Sequence, residues 1–436
     1  MTMSDLEGEI IVDVSLQHAS STSTVSVVSE DSANGNIPSA LEAEELQLAL
    51  NKEATEEELL KAIARCKNLV LETDNCSVER KWLVRHLIEL RLRLQECREA
   101  AVDPEHPRNK SSGVSKRTIK GHHFVLQPLL RSTTSRYCDH CTASIWCLVQ
   151  AWYECQDCNY CCHYKCMSSI LRVCAHVVTS ERGAFEMEIC PEVGLSAQRY
   201  RCAECRTLLQ LKKGYNEARR CDYNGLYYCP DCHWGGLAVV PARIVHNWDF
   251  STRAVCQASL QQLQVASNRP IINLEALNPR LFSFVHELNL LRRLRNDLHG
   301  MRKYLLVCRL ASEDHLLWKE VDSPHLIENT NLYSLQDLVN VHSGELFIKI
   351  QTWIDSFTKH IKVTCEICKG RGHICEICSN DEALFPFDAN ALTCQRCQGV
   401  FHKICFGRKD KCPRCIRLKD REDQRKSIDC DEAEEL

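Results

Sequence analysis

The sequence contains no run of about 18 apolar residues, the length a helix needs to cross a bilayer. Its first residues, Met1-Thr-Met-Ser-Asp-Leu-Glu-Gly-Glu, lack a basic stretch followed by an apolar one, so no secretory leader is expected. Positive charge is not in excess. Lys and Arg number 54 against 58 Asp and Glu, a formal net charge of −4, whereas domains that bind nucleic acid are usually basic; no nucleic-acid partner is expected. No Gly-x-x-x-x-Gly-Lys loop is present to cradle a nucleotide phosphate, and His286-Glu287 lacks the second histidine of a zinc-protease helix. These absences argue against a membrane-spanning protein, a secreted one and the commonest hydrolase frameworks. The length fits a soluble, multidomain intracellular chain.

What the sequence has is cysteine, 30 in all. Eight Cys-x-x-Cys pairs occur, Cys138/Cys141, Cys155/Cys158, Cys202/Cys205, Cys229/Cys232, Cys365/Cys368, Cys375/Cys378, Cys394/Cys397 and Cys412/Cys415, with two His-x-x-Cys pairs, His163/Cys166 and His402/Cys405. Two intervening residues aim both ligand atoms of such a knuckle at one point about 2.3 Å from each sulfur, and two knuckles close a tetrahedron round Zn²⁺. Disulfides are the competing explanation, but they need an oxidising compartment. Zn²⁺ is therefore the expected cofactor.

The fold class expected is a multidomain zinc-binding α+β chain. Residues 1–54 are acidic and rich in serine, threonine and alanine, a composition that cannot bury enough surface to offset chain entropy, so this segment reads as disordered. Residues 55–101 read as a helical hairpin. Thr55 and Glu58 form a capping box; Leu59, Ile63, Cys66 and Val70 recur at helical spacing, as do Trp82, Leu83, His86, Leu87, Leu90 and Leu94 after a break at Asp74-Asn75. Such a hairpin either serves a partner or packs on itself or a neighbour, and the second is favoured. Residues 102–121 read as a linker, 122–174 as a small zinc finger, 186–415 as one long unit with zinc at both ends, and 416–436 as a charged tail.

In the finger, His122, Cys138/Cys141, Cys155/Cys158, His163/Cys166 and Cys174 follow the order of the phorbol-ester/diacylglycerol-type zinc finger of protein kinase C. That resemblance implies interleaved sites. Cys138, Cys141, His163 and Cys166 would hold one ion, and His122, Cys155, Cys158 and Cys174 the other. Interleaving ties distant segments together where a core of about fifty residues is too small to hold alone. His123 stands as an alternative to His122, and Cys161 and Cys162 read as spare thiols. Lipid-binding members shape their groove with a proline, a glycine and a glutamine where this chain has Ser135, Cys147 and Ala151. Diacylglycerol binding is therefore expected to be poor, although Ile145, Trp146, Leu148, Val149 and Trp152 make an apolar tip suited to a membrane interface.

In the long unit, Cys202/Cys205 and Cys229/Cys232 have the spacing of a zinc ribbon (202–232), with Cys221 and His233 near enough to substitute. The run Cys221-Asp-Tyr-Asn-Gly-Leu-Tyr-Tyr-Cys-Pro-Asp-Cys-His, with Pro241-Ala-Arg-Ile, Asn247-Trp-Asp-Phe and Asn278-Pro-Arg-Leu-Phe, resembles the Rubicon homology domain. A helical middle (270–360) leads to a C-terminal cluster (365–415). Pairing Cys375/Cys378 with His402/Cys405 and Cys394/Cys397 with Cys412/Cys415 gives two interleaved sites of RING, PHD or FYVE type. Cys365/Cys368 is then a surplus ligand pair, left to complete a site with Cys190, Cys221 or His233, or to replace one of the others.

A finger followed by a Rubicon homology domain resembles the "differentially expressed in FDCP, eight" family. The resemblance implies a non-enzymatic adaptor, peripheral on late endosomes or lysosomes, that binds a Rab-family GTPase, acts with pleckstrin-homology-domain family M adaptors and contributes to lysosome positioning and endolysosomal or autophagic trafficking. Leu281, Phe284, Val285, Leu288, Leu291, Leu294 and Leu298 form an apolar stripe beside Arg292, Arg293 and Arg295, which by itself reads as a core helix with a solvated basic face; the resemblance implies instead that this region docks the GTPase, whose apolar switch surface and acidic rim the pattern would suit. Two alternatives are a RING-like ubiquitin ligase using Ile377 and Pro413, and a diacylglycerol-responsive signalling module.

Overall fold

The computed structural model describes residues 54–109, 116–129, 135–211, 214, 216–378, 380–409 and 411–421. Of the segment expected to be disordered, 1–53 lies outside these residues, as does most of the charged tail, while Ala54 is buried with the first helix. Two compact units divide the chain, one running to Arg243 and including Asp249–Ser267, the other made of Ile244–Trp248 and the chain from Asn268 on.

The first unit opens with helices Glu56–Glu72 and Val78–Val102. Thr55 caps the first, its hydroxyl accepting the Glu58 amide while the Glu58 carboxylate accepts the Thr55 amide. Leu59, Ile63 and Cys66 face Leu83, Leu90 and Leu94 in one buried cluster, so the two helical stripes pack on each other.

The finger is a four-stranded antiparallel sheet in the order Lys116–Ile119, His122–Leu126, Trp152–Cys155, Cys161–His163. Its first strand lies in the stretch read as linker, so the finger begins earlier than residue 122. Lys120 and Gly121 turn the first hairpin with φ of 51° and 79°. A Cβ at Gly121 would also meet Val177 Cγ2 at 2.7 Å, so this turn needs glycine. Helix Ala175–Arg182 leaves the finger and packs along helix Gln257–Ala266. Between them lie the short hairpins of the ribbon, Arg219–Arg220 with Tyr227–Tyr228 and Gly236–Val239 with Thr252–Val255. Gly225 turns the first with φ +69°, and a Cβ there would sit 2.4 Å from the Pro191 carbonyl.

The second unit is built round helix His286–Val307, against which helices His325–Glu328, Leu335–Ser343 and Glu345–Lys359 pack. Leu288, Leu291, Leu298 and Leu305 fill the core with Leu338, Ile350 and Phe357. The helix does not continue the preceding turn. Val285 is extended (φ −102°, ψ 106°) between Leu281–Phe284 and His286–Val307. That break carries Phe284 out of the apolar stripe, and its side chain is 83% exposed. The unit ends in the strand pair Ala391–Thr393 and Val400–His402, the short helix Lys403–Gly407, and a helical stretch over 413–421 that takes in the start of the expected tail.

Candidate metal centres

A tetrahedral zinc ion with arms of about 2.3 Å to sulfur and 2.0–2.1 Å to nitrogen separates its sulfurs by about 3.8 Å, and sulfur from nitrogen by about 3.6 Å. A disulfide would bring two sulfurs to about 2.05 Å. Among the described residues, several Cys/His sets, five of them of four residues named below, have their ligand atoms within 4.8 Å of one another.

Two sets lie in the finger. His122, Cys155, Cys158 and Cys174 form one, with Cys158 Sγ 3.3 Å from His122 Nδ1 and Cys155 Sγ 4.0 Å from Cys174 Sγ. Cys138, Cys141, His163 and Cys166 form the other, with His163 Nδ1 3.5 Å from Cys141 Sγ and 3.9 Å from Cys166 Sγ. His122, not His123, faces its thiols; His123 is turned outward to Asp157, 2.7 Å away. The other nitrogen of His122, Nε2, is 3.2 Å from the Arg172 carbonyl. A proton on Nε2 donated to that carbonyl leaves Nδ1 with its lone pair toward the sulfurs, the orientation a metal-ligating imidazole takes. Cys161 and Cys162 are buried outside both sets, and burial raises both thiols' pKa.

The ribbon places Cys202, Cys205, Cys229 and Cys232 together, with Cys205 and Cys229 sulfurs 3.5 Å apart. Cys221 turns instead to Ser259 Oγ at 3.5 Å, and His233 Nε2 to the Arg220 carbonyl at 3.2 Å. In the C-terminal cluster, Cys375, Cys378, His402 and Cys405 form one set, with His402 Nδ1 3.4 Å from Cys378 Sγ. Cys394 lies 3.7 Å from Cys415 and Cys397 3.5 Å from Cys412, sulfur to sulfur. The interleaving is first pair with third and second with fourth. Ile377, offered above as a ligase contact, is half-buried against Cys375, Cys394, Phe401 and Cys412.

The surplus pair finds partners that the sequence reading did not name. Cys365 and Cys368 join Cys308, at the end of the long helix, and His360, at the end of Glu345–Lys359. Cys308 Sγ is 3.5 Å from both His360 Nε2 and Cys365 Sγ. This replaces the suggested partners Cys190, Cys221 and His233. The signal was present: His360 lies five residues before Cys365, and Cys308 is an isolated cysteine in a cysteine-poor stretch. All these spacings match a tetrahedral ion, none matches a disulfide, and all four positions of each set are protein groups. Such closed sites hold structure and leave no open position for catalysis.

A buried charged cluster joins the finger to the ribbon. Asp139, inside the first finger knuckle, accepts the Cys161 amide at 2.8 Å and the Gln257 and Gln261 side-chain amides at 3.1 and 3.2 Å. Arg172 lies 3.6 Å from Asp139 and donates to Glu204, inside the ribbon's first knuckle, at 2.7 Å. Burial pushes the Asp139 carboxyl above its usual range, against the pull of Arg172. Burial also opposes the Arg172 charge, but Glu204 and Asp139 outweigh it and hold that guanidinium firmly protonated.

The finger's apolar tip is covered. Val149 is buried in the hairpin's cluster, with Trp146 and Leu148 packed against it, and Arg85 lies over the Trp146 ring at 6.0 Å. Ile145 and Trp152 are buried in the finger's own core. The expectation of a tip free to enter a membrane is corrected accordingly.

The three arginines proposed for a partner separate. Arg295 is 0% exposed. It donates to the carbonyls of Leu326 (3.1 Å), His325 (3.3 Å), Leu332 (2.9 Å) and Asn329, and its guanidinium lies 4.3 Å from the Tyr333 ring centre. It fastens the segment 325–333, from helix His325–Glu328 to strand Leu332–Tyr333, to the long helix and cannot face a partner. Arg292 is engaged by Glu275 at 2.6 Å and lies over Phe282. Arg293 is exposed, one turn after exposed Leu290 on the same helix.

A model of the Rubicon Homology Domain matches residues 219–420. The chain is 44% identical over 397 residues to the "Differentially expressed in FDCP 8 homolog" of Drosophila melanogaster, an alignment covering 88% of this chain and 80% of that one. It is 35% identical over 359 residues to the protein of the same name in Caenorhabditis elegans, covering 80% and 72%. To "Pleckstrin homology domain-containing family M member 3" of Homo sapiens it is 37% identical over 227 residues, covering 52% of this chain and 29% of that one.

Proposed function

The chain belongs to the family of the Differentially expressed in FDCP 8 homologs, and on that premise we propose that it is a zinc-loaded, non-enzymatic adaptor of late endosomal or lysosomal membranes that binds a GTP-loaded Rab-family GTPase through its second unit. Among the described residues no helix is long and apolar enough to cross a membrane, so the attachment proposed is peripheral. The observation that carries the reading is a set of exposed residues within the matched 219–420 region: Phe284, 83% exposed at the end of the short helix Leu281–Phe284, and Leu290, 41% exposed, and Arg293 on the first turns of the long helix. Aromatic and arginine side chains are the ones that dominate binding energy at protein interfaces. Zinc held by Cys308, His360, Cys365 and Cys368 would anchor the other end of the long helix, and structural zinc contributes roughly 10–16 kcal/mol in small finger peptides. Partnership with pleckstrin-homology-domain family M adaptors, and with it lysosome positioning and endolysosomal or autophagic traffic, belongs to the same proposal.

The test is capture of the full chain on a panel of Rab proteins locked in the GTP form. Wild type should bind at least one of them. Phe284→Asp combined with Arg293→Glu should weaken that binding at least tenfold, with zinc content and melting temperature unchanged. Failure of the whole panel to capture the wild-type chain would end this reading.

A further inference from the structure

The segment between the third and fourth knuckles of the C-terminal cluster is tethered at both ends. Cys405 belongs to the set with Cys375, Cys378 and His402, and Cys412 lies against Cys397 of the neighbouring set. Between them, helix Lys403–Gly407 leads to the second tether. Ile404 stands 72% exposed on it, and Lys403, Arg408, Lys409 and Lys411 are exposed within the same short stretch. The local charge runs against that of the whole chain. From Cys394 to Arg421 there are nine Lys and Arg and two Asp, on a protein whose net charge is −4.

We infer that residues 403–409 and Lys411 dock on an anionic bilayer surface, with Ile404 entering the boundary of the acyl layer while Arg408, Lys409 and Lys411 face lipid phosphates. An apolar residue within a group of cations matches the two zones of that interface, each cation drawn by the surface potential and the side chain by the hydrocarbon. A single-stranded nucleic acid would be met differently, by aromatic side chains on which bases stack. The aromatic of this segment, Phe406, is instead half-buried and packs on Phe401 with ring centres 5.5 Å apart. The apolar tip of the finger, by contrast, is covered by the helical hairpin. Two zinc sets fix the ends of the segment, so presenting Ile404 needs little further ordering. The inference does not depend on the GTPase reading, because it requires no protein partner.

The experiment is sedimentation of the full zinc-loaded chain with vesicles of phosphatidylcholine alone and of phosphatidylcholine with phosphatidylserine. Binding is expected to the second and not the first, and to weaken as salt is raised. Arg408→Gln with Lys409→Gln and Lys411→Gln should lower partitioning on the order of 100-fold. Ile404→Ser should lower it about tenfold, and Ile404→Leu should bind as wild type does. Zinc content is measured on every variant, and the milder pair Arg408→Gln with Lys409→Gln decides the matter if the triple variant loses metal. Equal binding to both vesicles, indifference to the charge variants, an Ile404→Ser variant equal to wild type, or tighter binding to polyuridylate RNA than to anionic vesicles would each overturn the inference. The vesicles carry no GTPase, so this outcome and that of the Rab panel are read separately.

Discussion

Arg295→Ala should destabilise the second unit far more than any other arginine substitution on the long helix. The side chain is fully buried, and its Nε and Nη2 donate to the carbonyls of His325, Leu326, Asn329 and Leu332. Truncation leaves four carbonyls without that donor and removes the cation over Tyr333. A buried acceptor left unsatisfied costs about 1–3 kcal/mol. The four are not additive, because the segment 325–333 can shift and admit water, so the total falls well below their sum, at roughly 3–5 kcal/mol, the upper range of single-substitution effects. For a unit of this size that lowers the melting temperature by about 10 °C. Arg293→Ala, on the exposed face, should cost less than about 0.5 kcal/mol. Arg295→Lys should recover little, since a compact ammonium cannot span the carbonyls that a planar fork reaches. The assay is thermal unfolding of the full chain, with hydrogen exchange over 286–333 to localise the loss. An Arg295→Ala protein that melts within about 2 °C of wild type and keeps its amide protection would refute the reasoning.

Zinc-replete protein should contain six zinc ions per chain, one for each four-ligand set, and Cys308→Ser should lower the metal count by one; a Cys308→Ser protein with unchanged metal shows that this set holds none. Burial raises Glu96 to about 7. Its folded form therefore prefers the proton, and the stabilisation is full below its unfolded value near 4.5 and is lost as pH rises through 7. Glu96→Gln should thus raise stability at pH 8 by up to about 3 kcal/mol and flatten the profile between pH 5 and 8, as followed by urea unfolding. Diacylglycerol in neutral vesicles should not recruit the full chain, because Trp146, Leu148 and Val149 are engaged by the hairpin and Ser135, Cys147 and Ala151 replace the groove-shaping residues; nanomolar phorbol-ester binding would contradict this.

The knuckles were legible because a Cys-x-x-Cys ligand pair is local, its two sulfurs brought together by a single turn. The pairing of knuckles is a tertiary fact, and it could be read where a family order guided it, as in the finger. Cys308 and His360 escaped because each is a lone residue that a helix end places beside a distant knuckle. Arg295 was misread although its period was available. Leu288, Leu291, Arg295 and Leu298 recur at three and four residues and share the buried face; a cation in that series is a buried donor in search of carbonyls. Phe284 was misread for the opposite reason, since the break at Val285 ends the period that seemed to include it. The covering of the finger tip had no local signal. It depends on a hairpin some fifty residues upstream whose stripe gives no sign of its partner.

Arg172 shows why the finger does not end at its last ligand. Its carbonyl faces Nε2 of His122, so its backbone helps orient a residue of one finger set. Its guanidinium lies against Asp139, between the first two cysteines of the other finger set, and donates to Glu204, between the first two cysteines of the ribbon set. Gln257 and Gln261, about ninety residues further on, satisfy what remains of Asp139. A chain cut after Cys174 would keep the finger's eight ligands but lose Glu204 and both glutamines. Asp139 and Arg172 would then exchange a buried, fully engaged arrangement for a solvated pair worth roughly 0–1 kcal/mol. The charged cluster works only when finger, ribbon and helix Gln257–Ala266 are present together, so knuckle spacing defines where metal is held while Arg172 defines how much chain must fold as one body.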